Sequence, residues 1–97
     1  MEMKYGLSEE ICIMIENIIN KYKKYTFKIF GSRARGDYKY NSDIDIAVEG
    51  TINKDDELKI LNEFDLLQIP YTVDVVFVNN INKEELIDSI NREGVEF

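Results

Sequence analysis

Two aspartates separated by one residue lie near the middle of this chain, in a segment that alternates acidic and apolar side chains. Alternation of this kind predicts a β-strand, on which side chains two residues apart share a face. Asp43 and Asp45 therefore point to one side, and Ile44 and Ile46 point to the other side, toward the core. Two carboxylates this close repel one another unless a cation lies between them. The alternative is a solvated edge strand with its acids outward, and this short motif alone does not decide between the two.

A third aspartate, Asp74, interrupts the apolar run from Val73 to Val78. Burying an unpaired carboxylate costs free energy, so an acid in such a strand needs a reason. If this strand lies beside the one that carries Asp43 and Asp45, the three acids form one cluster. Three carboxylates can hold two Mg²⁺ or Mn²⁺ ions about 4 Å apart, an arrangement suited to in-line phosphoryl displacement. The alternative is a strand-end acid that pairs with a lysine or arginine.

A glycine and a serine end the apolar segment that precedes these acids. Gly31 permits a positive φ and a close approach of the backbone to a ligand. Exposed N–H groups at such a turn bind anions, and the hydroxyl of Ser32 adds a donor. Arg33 and Arg35 follow and are further candidates for holding a nucleotide. A glycine-serine pair alone indicates only a turn, and the Gly-Lys-Ser/Thr ending of a P-loop is absent.

Hydrophobic periodicity predicts three helices and three strands around these residues. The helices cover about 8–23, 54–67 and 83–91, and the strands cover 26–30, 42–48 and 72–78. This order predicts an α/β fold of the α+β type, with a small mixed sheet of about three strands flanked by helices. The helical connection makes the last two strands parallel, and the short link makes the first two antiparallel. For the middle helix we expect one inward face: Leu58, Leu61, Phe64 and Leu67.

Length and composition narrow the function classes. The chain has 97 residues, which we expect to form one small domain over 1–97, and its net charge of −7 disfavours general nucleic-acid binding. It has no histidine, which excludes histidine-dependent triads, and its single cysteine, Cys12, lies among apolar residues and is expected to pack in the core. Carboxylates favour Mg²⁺ or Mn²⁺ over zinc. Without a signal peptide or a membrane-spanning apolar run, we expect a cytoplasmic location.

The spacing of these motifs resembles a known signature. Gly31-Ser32, ten intervening residues and then Asp43-Ile44-Asp45 resemble the motif of the DNA polymerase β-like nucleotidyltransferase superfamily. The flanking Arg33-Ala34-Arg35-Gly36 and Ser42-Asp43 are similar to its minimal members, the MNT domains. The resemblance covers roughly residues 8–92 and implies the polymerase β-like nucleotidyltransferase fold.

The resemblance also implies roles for the motif residues. Asp43 and Asp45 would coordinate both metal ions, and Asp74 would complete one site and help to deprotonate the attacking hydroxyl. Gly31 and Ser32 would hold the β- and γ-phosphates of a nucleoside triphosphate. The hydroxyl would attack the α-phosphate of ATP, and pyrophosphate would leave.

Minimal members of this superfamily are often paired with a small helical HEPN protein, an RNase-like toxin. The nucleotidyltransferase is then the antitoxin and attaches AMP to a tyrosine of the toxin, and we expect this function here, since the chain has no room for an acceptor-binding domain. One alternative is a binding module that neutralises or scaffolds its partner without catalysis. Another is a stand-alone enzyme that modifies a small molecule such as an aminoglycoside.

Overall fold

The computed structural model describes residues 4–97. Every predicted helix and strand is present, together with three short additional elements. In chain order the elements are α1 (Glu9–Lys21), β1 (Thr26–Phe30), α2 (Ser32–Arg35), β2 (Ile44–Glu49), α3 (Lys54–Asp65), β3 (Val73–Phe77), a 3₁₀ turn (Val78–Asn80), α4 (Glu84–Glu93) and β4 (Val95–Glu96).

The strands form one mixed sheet in the order β3-β2-β1-β4. β1 and β2 are antiparallel, and β2 and β3 are parallel, as the lengths of their connections predicted. β4 was not predicted, so the sheet has four strands rather than about three. It pairs with β1 over two residues only, Val95 and Glu96. A strand of two residues is too short to show an alternating pattern.

Side-chain caps set where the two long helices begin. The hydroxyl of Ser8 accepts a hydrogen bond from the Ile11 N–H at 3.3 Å, which confirms the predicted start of α1. The side chain of Asn53 accepts from the Asp56 N–H at 2.7 Å and caps α3 in the same way. Within residues 4–97, the structure has no helix that is both long and apolar enough to cross a membrane.

The sheet separates two apolar cores of unequal size. The larger core lies under α1 and α3 and includes Cys12, Ile44 and Ile46, all predicted to point inward. The smaller core lies under α4, where Ile90 packs with Phe30 and Ala47. Odd and even positions of the strands therefore have different environments, and the aspartates share the face of the smaller core.

The predicted inward face of α3 is partly wrong. Phe64 is buried, but Leu58 is 56% exposed and Leu61 is 38% exposed, whereas Ile60 is fully buried. The apolar residues of α3 cover a wide arc, and the stripe containing Ile60 and Phe64 packs inward because it meets the sheet; the Phe64 ring lies 6.5 Å from that of Phe27. Leu61 instead borders an open cleft of about 270 Å³ beside β3.

Candidate active site

The parallel register of β2 and β3 places two of the three aspartates side by side. Asp45 is paired with Asp74 across the two strands, and it faces Phe30 on its other side. Asp43 lies one residue before β2 begins. The predicted proximity of Asp45 and Asp74 is therefore confirmed, because it follows from β3 lying next to β2.

Both strand aspartates point toward the face that carries α4. Ala47 and Val76 lie two residues after Asp45 and Asp74, and both pack in the smaller core under α4. Asp43 and Asp74 are exposed, so Asp74 does not carry the cost of a buried carboxylate. Within residues 4–97 Asp74 forms no ion pair, which disagrees with the alternative of a strand-end acid paired with a base.

The electrostatic environment of Asp45 disfavours its ionised form. Burial raises the pKa of its carboxyl group, and the negative charges of Asp74 and Asp43 raise it further. The positive charges of Arg35 and Arg33 act in the opposite direction but do not cancel the shift. The site is therefore short of positive charge, which is the condition that a cation relieves.

The residue types at this site fit a divalent cation, since carboxylate oxygens are the ligands that Mg²⁺ and Mn²⁺ prefer. As positioned, however, no three carboxylate or thiol groups of residues 4–97 surround a common point closely enough to hold one ion. The backbone register supplies Asp45 and Asp74 as neighbours. Asp43 and Asp74 are exposed, and the charges of both act on Asp45.

Gly31 connects the aspartates to the predicted phosphate turn. It precedes α2 with φ 76° and ψ −156°, a conformation that essentially only glycine adopts. A Cβ atom at this position would collide with the Oδ2 atom of Asp45. The sequence indicated only that Gly31 permits a positive φ, and it gave no sign of the contact with Asp45. Glycine is therefore required here both by the backbone conformation and by the neighbouring carboxylate.

Ser32 opens the single turn of α2, and its side chain is half-buried. Gly31 offers no side chain to cap this turn, so its first N–H groups lack a side-chain acceptor. The turn closes when the Arg35 N–H donates to the Gly31 carbonyl at 3.0 Å and ends at Gly36 with φ 95°.

Arg33, a candidate for holding the nucleotide, is buried. Only 2% of it is exposed, and its donors are engaged by backbone carbonyls. Nε and Nη2 donate to the Ser42 carbonyl at 3.1 and 2.8 Å, and Nη1 donates to the Tyr5 carbonyl at 3.0 Å. The guanidinium lies between two rings, 4.6 Å from the centroid of Tyr71 and 5.3 Å from that of Tyr38. This burial disfavours the predicted contact of Arg33 with the nucleotide.

Arg35 has the opposite environment. Its side chain is 44% exposed and pairs with two acids, with Nη1 3.0 Å from Glu93 and Nε 3.2 Å from Asp37. Its positive charge lowers the pKa of Asp45, so it lies within electrostatic reach of the aspartates. An accessible guanidinium near the carboxylates remains a candidate for binding phosphate.

The family model for polymerase beta nucleotidyltransferases matches residues 14–97, and the chain therefore belongs to this family. The match contains the glycine-serine turn and all three aspartates. No curated protein matches the chain.

Two solved structures share its fold. One is a toxin-antitoxin crystal structure with AMP-PNP, 23% identical, with a TM-score of 0.66, covering 87% of this chain and 69% of that chain. The other is a protein proposed to be a nucleotidyltransferase, from Sulfolobus solfataricus, 23% identical, with a TM-score of 0.53, covering 99% and 88% of the two chains. At this level of identity they establish the fold.

Proposed function

We propose that this nucleotidyltransferase domain transfers AMP from ATP to a tyrosine hydroxyl of a small helical HEPN toxin, in a Mg²⁺- or Mn²⁺-dependent reaction, and thereby acts as an antitoxin. The observation that carries the proposal is the pairing of Asp45 with Asp74, with Gly31 packed against the same carboxylate. Carboxylates and a turn suited to phosphate thus lie at one end of the sheet, as nucleotidyl transfer requires.

In this proposal Asp43, Asp45 and Asp74 are the ligands of two divalent ions. Bound there, the ions would neutralise phosphate charge and lower the pKa of the acceptor hydroxyl. The N–H groups after Gly31, with the hydroxyl of Ser32, would hold the β- and γ-phosphates. Arg35, which is exposed and whose charge acts on Asp45, would add a charged donor to the triphosphate.

The reaction exchanges one bond at the α-phosphorus and transfers one proton. The acceptor oxygen forms a bond to the α-phosphorus, the bond from that phosphorus to the bridging oxygen breaks, and pyrophosphate leaves. The proton of the acceptor goes to Asp74, whose carboxylate is exposed on the edge strand of the sheet. A tyrosine phenol, with a pKa near 10, loses its proton more readily than an aliphatic hydroxyl does.

Two observations support a protein acceptor. The toxin-antitoxin structure with AMP-PNP shares this fold, so the fold is compatible with both a nucleotide and a toxin partner. The net charge of −7 would also steer a basic partner toward this chain.

The test is intact-mass spectrometry of a HEPN partner that is co-expressed with this chain. With the wild type, the partner should gain the mass of AMP, and tandem spectra should place it on a tyrosine. With the double variant Asp43→Asn, Asp45→Asn, the partner should keep its unmodified mass. Neutralisation of the toxin by the double variant without any added mass would instead support a binding module.

A further inference from the structure

Arg33 is the one buried charged residue in the part of the chain that the structure describes. Its partners are carbonyl oxygens and aromatic faces, and no carboxylate within residues 4–97 forms an ion pair with it. A buried charge contributes little stability compared with an apolar side chain of similar size. A guanidinium is planar and rigid, and it donates hydrogen bonds in fixed directions. It therefore suits a role in holding neighbouring groups in one orientation.

The guanidinium of Arg33 fixes the position of Ser42, the residue that precedes Asp43. Two of its nitrogens, Nε and Nη2, donate to the same carbonyl oxygen, that of Ser42. Residues 37–43 lie in neither helix nor strand, apart from a turn in which Ser42 and Lys39 exchange hydrogen bonds of 2.8 and 3.0 Å. The two hydrogen bonds to the Ser42 carbonyl therefore fix where this segment enters β2. They also fix the backbone position of Asp43.

The same side chain reaches the other two parts of the site. Arg33 follows Ser32 directly, so its backbone belongs to the proposed phosphate turn. The Tyr71 ring stacks on the guanidinium three residues before Asp74, and next to it the Thr72 carbonyl accepts from the Ile44 N–H at 2.9 Å. One buried side chain thus contacts, or belongs to, all three segments that carry the site.

We infer that Arg33 is a positioning residue: it holds Ser42 and Tyr71 in a fixed relation to the Gly31-Ser32 turn, and it thereby fixes the backbone from which Asp43 would reach a metal ion shared with Asp45 and Asp74. This inference deepens the proposed function and rests on it. Arg33 acts through the backbone of its neighbours and does not touch the nucleotide.

The test compares Arg33→Lys with the wild type by Mn²⁺ binding, followed by electron paramagnetic resonance, and by steady-state kinetics with ATP. Lysine keeps the positive charge but cannot form the double hydrogen bond to one carbonyl. Mn²⁺ affinity and kcat should fall about 10–100-fold, as is typical when the groups that orient metal ligands are lost. The KM for ATP should change less than about threefold, because uniform nucleotide binding is retained.

Two further variants separate positioning from general stability. Ile60→Val removes a methyl group from the core under α3 and should lower the urea midpoint without changing Mn²⁺ affinity. Tyr71→Leu removes the stacked ring and should weaken Mn²⁺ binding in the same direction as Arg33→Lys, whereas Tyr71→Phe, which keeps the ring, should bind as the wild type does.

The outcomes distinguish this inference from the proposed function. If Arg33→Lys raised the KM for ATP and left Mn²⁺ affinity intact, Arg33 would contact phosphate and the inference would be overturned. Unchanged Mn²⁺ affinity together with a lower urea midpoint would reduce Arg33 to a structural role and overturn it as well. Failure of the wild-type protein itself to bind Mn²⁺ would overturn the proposed function instead.

Discussion

Asp45 lies where the aspartates of the candidate site meet the glycine-serine turn. It neighbours Asp74 across the parallel strands and touches the position where a Cβ of residue 31 would lie. Burial and two like charges raise the pKa of its carboxyl group. An ionised carboxylate in this environment destabilises the folded chain, as residues at functional sites often do.

Replacing Asp45 with asparagine should therefore stabilise the protein at neutral pH. The folded-state pKa lies above 3.8, so the folded state binds the proton more tightly, and the free energy of unfolding falls as pH rises through that window. Asp45→Asn removes this penalty at pH 7 and should gain nothing below pH 3.8, where the carboxyl group is protonated in both states. Urea unfolding in EDTA at several pH values measures the difference.

The control for this prediction is Asp88→Asn, since Asp88 is exposed on α4. It should show no comparable gain at pH 7. A lower urea midpoint for Asp45→Asn than for the wild type at pH 7 would mean that the carboxylate stabilises the fold, against this account.

Two glycines with positive φ allow a matched comparison at the phosphate turn. Alanine at Gly31, φ 76°, would strain the backbone and displace the carboxylate of Asp45, whereas alanine at Gly36, φ 95°, meets no atom within 4 Å. Each change should cost about 1–3 kcal/mol of stability through backbone strain. Only Gly31→Ala should abolish nucleotidyl transfer and Mn²⁺ binding together. Equal loss of transfer in both variants would indicate that strain alone is responsible.

Most residues of the candidate site could be identified from the sequence, but the burial of Arg33 could not. The spacing of the aspartates and Gly31 follows from strand periodicity and turn chemistry, which are local properties. Arginines are usually exposed, and the residues next to Arg33 in the sequence do not indicate that it is buried. Its partners Tyr5, Ser42 and Tyr71 come from three different segments of the chain, so only the fold brings them together.

At the scale of the elements, a polar contact ties the two helices on the larger core. The Tyr22 hydroxyl at the end of α1 donates to Glu63 of α3 at 2.8 Å, and Lys21 bonds the other oxygen of Glu63 at 2.5 Å. Burial and the hydrogen bond to Glu63 raise the pKa of Tyr22 to about 12. This tie holds α1 against α3, which in turn covers the face of β2 opposite the aspartates.

Tyr22→Phe should cost about 1 kcal/mol at neutral pH, the typical net value of one hydrogen bond. Because the pKa is raised from 10.0 in the unfolded chain to about 12 when folded, the neutral phenol stabilises the fold below pH 10. The stability advantage of the wild type over Tyr22→Phe should therefore fall as pH rises from 10 to about 12. Thermal unfolding of both proteins across this range measures it.

Tyr40→Phe serves as the control, since Tyr40 is 87% exposed and should contribute nothing measurable at any pH in that range. A constant difference between Tyr22→Phe and wild type up to pH 12 would show that the hydroxyl proton is not shared with Glu63 in the folded state.

The elements themselves were predictable where local signals are strong. Ser8 starts α1, β1 covers the predicted residues, and the loop lengths fixed which strands are parallel. Two features depended on tertiary packing. β4 exists because Phe97 and its neighbours pair with β1, where the Phe97 N–H donates to the Phe27 carbonyl at 3.0 Å. The face of α3 was set by contact with Phe27 rather than by its own sequence.

For the whole molecule, the arrangement of layers explains why the site is accessible. α1 and α3 cover one face of the sheet, whereas the α4 face carries only a small core and leaves Asp43 and Asp74 exposed. The proposed nucleotide and acceptor would approach from that face. The excess of 19 acids over 12 bases would add long-range attraction for the proposed basic partner, and this attraction would weaken as salt is added.

The central claim is that the α-phosphate of ATP is transferred to a partner protein by the aspartate site. Incubation of this chain and a HEPN partner with Mg²⁺ and ATP labelled at either the α- or the γ-phosphate tests it most directly. The account predicts that α-label appears on the partner, that γ-label is released as pyrophosphate, and that Asp74→Asn abolishes labelling. Label from the γ-phosphate on the partner, or α-labelling that persists with Asp74→Asn, would contradict it.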